Sequence, residues 1–445
     1  MEKEGEELKV MIVERCLVRP CLPSPQGSLY LSNLDNQPAA RSVFNTLLVY
    51  EGCENNLADP AKTIREALSK VLVYYYPLAG RLRKKEDGKL QVECTGEGVL
   101  FVEAMVSNNL SVLGDLDYLK PSFKQLLFTF PFNTDIEELH PLVIQVNRFM
   151  CGGFVVAVTF NHSIFDGKGL GQFLKGLGEM ARGDVMPAVK PVWDRELLKP
   201  RNQLVQDLDM VEEKTKSAPH LWTFPIYKES IQMSLILDSN TINYIKQGIL
   251  EECGEFYTTF EIVIALIWQA RTKALELPHS QSTNTFFAVD VRKSFDPPLP
   301  NGYYGNGFVG ACAKGTAHEL VNQPLSYIVN IIKKAKMSMT INYLRSIVDM
   351  DQFPFDALGS QYNQTLSDWR WLGFHEVDFG SGCPVNVCPM HWNANGFNIP
   401  CTFIFLPPSK KNVGGFKMIT WMHPQEFNLF EMEVEVIINK YVKKN

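Results

Sequence analysis

One stretch of this sequence gathers reactive residue types: Thr159-Phe-Asn-His162-Ser-Ile-Phe-Asp166-Gly167-Lys-Gly169. A neutral imidazole, with an unperturbed pKa near 6.5, can take a proton at neutral pH. A carboxylate four residues on can orient that imidazole, join it on a metal, or cap a following helix. A core histidine with satisfied hydrogen bonds is the bland alternative to all three. A metal centre would need further ligands at recognisable spacing, and the remaining histidines show no such pattern, so no metal is expected. Other chemistries lack their signatures. No Gly-x-Ser-x-Gly elbow or Walker A sequence occurs, and Gly167, Gly169 and Gly171 do not spell Gly-x-Gly-x-x-Gly. Cys151, before an apolar strand and without an electropositive setting, reads as packing rather than as an acyl-carrying nucleophile.

To expose His162, the chain must end a strand, turn on glycine and enter a helix, which is where α/β proteins display reactive groups. Residues 153–160 are apolar and β-type, and Leu170, Phe173, Leu174, Leu177 and Ala181 recur at helical spacing before Arg182-Gly183. Elsewhere, Asp59-Pro60 opens a helix with Ile64, Leu68, Val71 and Leu72 on one face. Thr258 and Glu261 form a capping box ahead of an almost uniformly apolar, hence buried, helix. Strand-like runs fall at 90–94, 99–103, 141–148, 285–291, 402–406 and 416–422, and an amphipathic helix covers 424–441. Between the halves, 187–225 is poor in periodicity and carries Pro191, Pro200, Pro219 and Pro225, which suits a long crossover. The expectation is a mixed α/β protein in two similar halves.

The 445 residues carry 43 Lys and Arg against 49 Asp and Glu, a net charge of −6, so nothing global steers the chain onto nucleic acid or an anionic membrane. Residues 1–10 lack a signal-peptide pattern, and the densest apolar stretches, 152–160 and 260–270, fall short of the roughly 18 residues of a membrane span. A cytoplasmic protein is expected, with its ten cysteines free and mostly buried and the sequons at Asn109, Asn161 and Asn363 unread.

His162-Ser-Ile-Phe-Asp166-Gly167 matches the His-x-x-x-Asp-Gly motif of the BAHD acyl-CoA-dependent acyltransferases of plants, and Asp378-Phe-Gly380-Ser381-Gly382 resembles their Asp-Phe-Gly-Trp-Gly motif. Tyr75 to Arg81, Leu31-Ser-Asn-Leu-Asp35, Asp290-Val-Arg292 and Asn301 to Asn306 extend the resemblance over essentially the whole chain. Residues 58–75, 92–98, 148–154 and 179–183 are similar to the taxane O-acyltransferases of taxol-type diterpenoid biosynthesis.

The resemblance implies two chloramphenicol-acetyltransferase-like domains, 1–188 and 226–445, joined by a crossover at 189–225 and enclosing a tunnel. Acyl-CoA, as acetyl-CoA or benzoyl-CoA, would enter as co-substrate from one face and a hydroxylated taxane from the other. His162 would be the general base of a monomeric enzyme with no permanently bound cofactor and no acyl-enzyme. Asp166, with Gly167 behind it, would pair with Arg292 and support the site. Asp378 would brace its turn or act as a second proton acceptor. Ser381 stands where that family has a Trp, so either Trp371 or Trp392 rebuilds the wall or the pocket is wider. No CoA-binding residue is assigned. Arg81 to Lys85 and Lys410-Lys411 are candidates, with a solvated charged face as their plain alternative. Two other functions remain open: transfer to another plant alcohol, and a weakly active homologue that binds CoA esters or terpenoids.

Overall fold

The structure, a computed structural model, describes residues 8–52, 59–117, 121–131, 134–201, 231–351, 362–390, 401–407 and 415–442. Its frame is two six-stranded mixed sheets and one three-stranded sheet. The first runs in space Val10–Val18, Val99–Val106, Leu142–Phe149, Phe154–Asn161, Val43–Tyr50, Asn386–Pro389. The second runs Phe308–Thr316, Ser282–Asp290, Gln364–Asp368, Thr402–Leu406, Phe416–Met422, Ile231–Leu237. Ser28–Tyr30, Leu90–Glu93 and Arg81–Lys84 make the small sheet. Asn386–Pro389 pairs antiparallel with Val43–Tyr50, so the second half of the chain supplies the edge strand of the first sheet.

Alternation within strands sends neighbouring residues to opposite faces. Leu48 and Tyr50 join a core with Leu68, Phe173 and Leu177 from the helices Pro60–Val71 and Gly167–Ala181. Leu47 and Val49, one residue out of phase, pack instead with Leu113, Phe123 and Leu126. The second sheet does the same: Phe403, Phe405 and Met418 meet the buried helix Thr259–Ala274, while Ile404, Leu406 and Ile419 enter the core built on Leu48 and Tyr50. One continuous apolar core therefore spans both sheets.

Local signals set the helix starts. Asp59 caps Pro60–Val71 by accepting from Ala61 N at 2.9 Å, and Thr258 and Glu261 make their reciprocal bonds at the start of Thr259–Ala274. The helix expected from Leu170 begins three residues earlier, at Gly167, because Asp166 Oδ1 accepts from Gly169 N at 2.9 Å. From residue 202 onward the expected crossover lies outside the described residues, as do Lys410-Lys411 and Trp392. The nine described cysteines are free, but only Cys94 and Cys388 are buried, so the expectation of mostly buried thiols fails. Cys151 is exposed on a turn, where its Sγ accepts from Leu110 N. Among the described residues no helix is long and apolar enough to cross a membrane.

Candidate active site

The strand Phe154–Asn161 is buried along its whole length, and His162 follows its last residue. The His162 N–H donates to Ser42 O at 3.0 Å, and Ser163 Oγ donates to Ala40 O at 3.1 Å, fixing the chain where it leaves the sheet. The imidazole lies 4.7 Å from the Phe44 ring and 6.0 Å from Phe160, both on the first sheet. Phe308, which opens a strand of the second sheet, meets it edge-on at 5.7 Å. His162 thus sits on the seam between the sheets. Burial among these rings lowers its pKa below 6.5; the carboxylates of Asp166 and Asp35 pull the other way without overcoming it. The imidazole is therefore mostly neutral at pH 7. Its buried Nδ1 makes no well-formed hydrogen bond, although the His162 carbonyl and the Asn306 side chain both act on the ring.

Asp166 and Arg292 are brought together. Arg292 Nη1 lies 2.9 Å from Asp166 Oδ2, and Arg292 Nη2 donates to Oδ1 at 3.0 Å. Gly169 N and Gly307 N also donate to the carboxylate, each at 2.9 Å. Burial would raise the Asp166 pKa, but Arg292 and these donors more than offset it and hold the carboxyl below its usual value. The same pairing keeps Arg292 firmly cationic against its own desolvation. Arg292 also donates to Gly305 O at 2.8 Å and to Asp290 Oδ1 at 3.2 Å, tying the turn after the first-sheet strand to two segments of the second half. With its four bonds engaged, the Asp166 carboxylate is a structural knot.

Asp378 lies elsewhere. Its carbonyl accepts from Arg182 and contacts Gly178, near the far end of the helix Gly167–Ala181. A rise of about 1.5 Å per residue puts Gly178 roughly 16 Å beyond Gly167. Asp378 Oδ1 accepts from Gly380 N at 2.7 Å and from Gly382 N at 2.8 Å, closing a turn around Ser381. Tyr50 Oη donates to Val377 O at 3.0 Å, so the turn is also pinned to the first sheet. Trp371 is 81% exposed and does not replace the missing indole. A glycine face lets this segment lie on the helix: a Cβ at Gly171 would stand 1.9 Å from Leu372 O, and one at Gly178 would stand 2.6 Å from Asp378 O.

The basic run at Arg81 to Lys85 is engaged locally. Arg81 pairs with Glu97 at 3.1 Å, Lys84 with Asp135 at 2.7 Å, and Lys85 with Asp87 at 3.2 Å. Among the described residues no group of three potential ligands could hold a metal ion. Behind His162 stands a cluster that sequence reasoning did not single out: Asp35, Arg195 and Asn306. Asn306 Nδ2 donates to His162 O and to Asp35 Oδ1, each at 2.8 Å, and Arg195 Nη1 lies 2.9 Å from Asp35 Oδ2 in a fully buried ion pair. Asp35 and Asn306 stood within quoted motifs, whereas Arg195 carried no sequence signal at all.

The profile of the Transferase family matches residues 8–437. The chain belongs to this family, the BAHD acyltransferases. This BAHD protein is 47% identical to a 3'-N-debenzoyl-2'-deoxytaxol N-benzoyltransferase of Taxus canadensis, over 100% of both chains. It is 46% identical to a 2-alpha-hydroxytaxane 2-O-benzoyltransferase and 44% identical to a taxadien-5-alpha-ol O-acetyltransferase, both of Taxus cuspidata. Those two alignments cover 98% and 99% of this chain and 98% and 100% of the relatives. Among solved structures, vinorine synthase superposes with a TM-score of 0.75 at 21% identity, covering 96% of this chain and 98% of that one. F. sporotrichioides TRI101, complexed with coenzyme A and T-2, gives 0.74 at 17% identity over 94% and 99%. The mixed α/β fold is the BAHD fold, and the protein is an acyl-CoA-dependent O-acyltransferase.

Proposed function

We propose that this enzyme transfers an acyl group from acyl-CoA to a hydroxyl of a taxane diterpenoid, with His162 as general base and no acyl-enzyme. Full-length identity of 44–47% to five Taxus enzymes whose names specify taxane substrates carries the substrate reading. The half-buried, neutral imidazole on the seam supports the mechanism. With Nδ1 buried, Nε2 is the nitrogen left to meet substrate. An alcohol, of pKa near 16, gives up its proton to Nε2 as its oxygen bonds to the thioester carbon. The tetrahedral adduct then expels CoA as the C–S bond breaks, and the imidazolium returns the proton to the departing sulfur. In this reading 1–188 and 226–445 form the two walls of the passage, with 189–225 crossing between them. Asp166 and Arg292 hold the turn so that the imidazole faces the passage, and Asp378 holds its own turn rather than a proton in flight.

Purified protein incubated with acetyl-CoA and, separately, benzoyl-CoA and a panel of hydroxylated taxanes should yield a mono-acylated taxane by mass, acetyl being the first donor to try. Acylation only of simple aliphatic or phenylpropanoid alcohols would overturn the substrate reading. His162→Ala should lower kcat by roughly 10²–10⁴. The acid limb of kcat/KM should fall below pH 6.5, because burial lowers the His162 pKa. Unchanged turnover in the variant would remove His162 from the chemistry.

A further inference from the structure

Several buried polar atoms near the seam have no hydrogen-bond partner, among them Asn161 Nδ2, Arg195 Nε and the hydroxyls of Tyr303 and Tyr304, and two of them matter most here: His162 Nδ1 and Asn306 Oδ1. They belong to residues already joined, since Asn306 Nδ2 donates to the His162 carbonyl at 2.8 Å. The amide cannot be turned over at no cost. Its nitrogen faces that carbonyl and Asp35 Oδ1, both acceptors, and a flipped amide would set oxygen against oxygen on both sides. Asp35 is itself immobilised. It accepts from Ser32 N at 2.9 Å and Ser32 Oγ at 2.8 Å, accepts from Asn306 N at 2.8 Å, and pairs with Arg195, both side chains being fully buried. Arg195 Nη2 in turn donates to Ile164 O, two residues after His162. The nitrogen end of the Asn306 amide is therefore locked, and its oxygen is left to a donor.

We propose that Asn306 is a positioning residue for His162: anchored through Nδ2 on Asp35 and the His162 carbonyl, it accepts the proton on His162 Nδ1 at its Oδ1. The inference rests on the general-base reading, to which it adds a tautomer. Nε2 can take a proton from an alcohol only if the neutral ring carries its own hydrogen on Nδ1, and a buried N–H needs an acceptor. The ion pair of Asp35 with Arg195 then acts on the chemistry through one amide. Of the charged groups that act on the imidazole, Asp35 and Asp166 are each paired with an arginine, and the neutral acceptors beside it are the His162 backbone carbonyl, already engaged by Asn306 Nδ2, and the Asn306 side chain. The side-chain acceptor favours the protonated ring as well as the Nδ1–H tautomer, and its loss should lower the His162 pKa further.

The test uses the full chain labelled with 15N-histidine, the His162 resonances being assigned by their absence in His162→Gln. Long-range 1H–15N spectra at pH 7.5 should place the proton on Nδ1 in the wild-type protein without substrate. In Asn306→Ala, and in Asn306→Ser should the first fold poorly, that preference should weaken. There kcat should fall roughly tenfold to a hundredfold, the scale for a misplaced catalytic group, with KM for acyl-CoA little changed. The acid limb of the pH profile should also move to lower pH. A wild-type ring protonated on Nε2 would overturn the proposal without any variant. So would a variant that keeps the Nδ1–H tautomer and an unmoved acid limb, whatever its rate, since a purely structural role predicts that. An enzyme inert toward every alcohol offered would count against the acyl-transfer reading, while the tautomer measurement would still decide the role of Asn306.

Discussion

Asp166 and Asp378 stand at opposite ends of one helix, Gly167–Ala181, and both accept backbone N–H groups, yet they are built into the protein differently. Asp166 is buried and ionised beside Arg292, and its donors come from the helix itself and from the Gly305 to Gly307 segment far along the chain. Asp378 is only half-buried, and its side-chain bonds stay within its own five-residue turn. The first carboxylate couples distant segments, and the second shapes a local loop. A buried charge whose partner is removed is destabilising by several kcal/mol, whereas a half-exposed carboxylate that loses its bonds can turn to water. Sharing a sequence landmark therefore does not give two aspartates equal weight.

The largest effect that could break this contrast is Asp166→Asn, which leaves the desolvated Arg292 with only the more exposed Asp290 as counter-charge and should cost about 3 kcal/mol in urea unfolding. The difference from wild type should be full above the ordinary carboxyl pKa. It should close as pH falls through the lowered native value, because protonation then removes the pair from the wild type as well. A pH-independent difference would mean that the pair is not its source. Next comes Gly171→Ala, whose new Cβ would have to displace the Leu372 carbonyl, at a cost of about 1–3 kcal/mol in the same measurement. Asp378→Asn should cost less, about 1 kcal/mol, and should leave the acid limb of activity unmoved. A loss of turnover comparable to that of His162→Ala would instead make Asp378 a participant. Smallest of all, Ser381→Trp should alter stability by less than about 1 kcal/mol, read by thermal melting, because the turn is partly open to solvent.

What could be read from the sequence follows the range of the interactions involved. Asp59-Pro60, Thr258 with Glu261, and the apolar periodicity after Leu170 are signals spanning a few residues, and each appears as a helix start or stripe. The strands Val10–Val18 and Phe308–Thr316 lie outside the elements expected from sequence: the first is an exposed edge with little alternation, and the second mixes Gly, Ala and Lys. The amphipathic helices Leu325–Met337 and Ile341–Asp349 also lie outside those elements, although Thr340 accepts from Tyr343 N as an ordinary N-cap. At the site, His162 followed from its strand-turn-helix setting, and the pairing of Asp166 with Arg292 only from family resemblance. The cluster of Asp35, Arg195 and Asn306 draws on three distant segments. No local pattern announces that an arginine after a Pro-containing stretch will be wholly enclosed, because only tertiary packing decides it.

The strand Asn386–Pro389 has a consequence for biosynthesis. During translation, Val43–Tyr50 leaves the ribosome more than 300 residues before its outer partner exists. At roughly 5–20 residues per second, its apolar edge waits on the order of tens of seconds with unpaired N–H and C=O groups, open to strands of other chains. A chain truncated before residue 386 should therefore aggregate faster than the full chain in light scattering, since that edge never finds its partner.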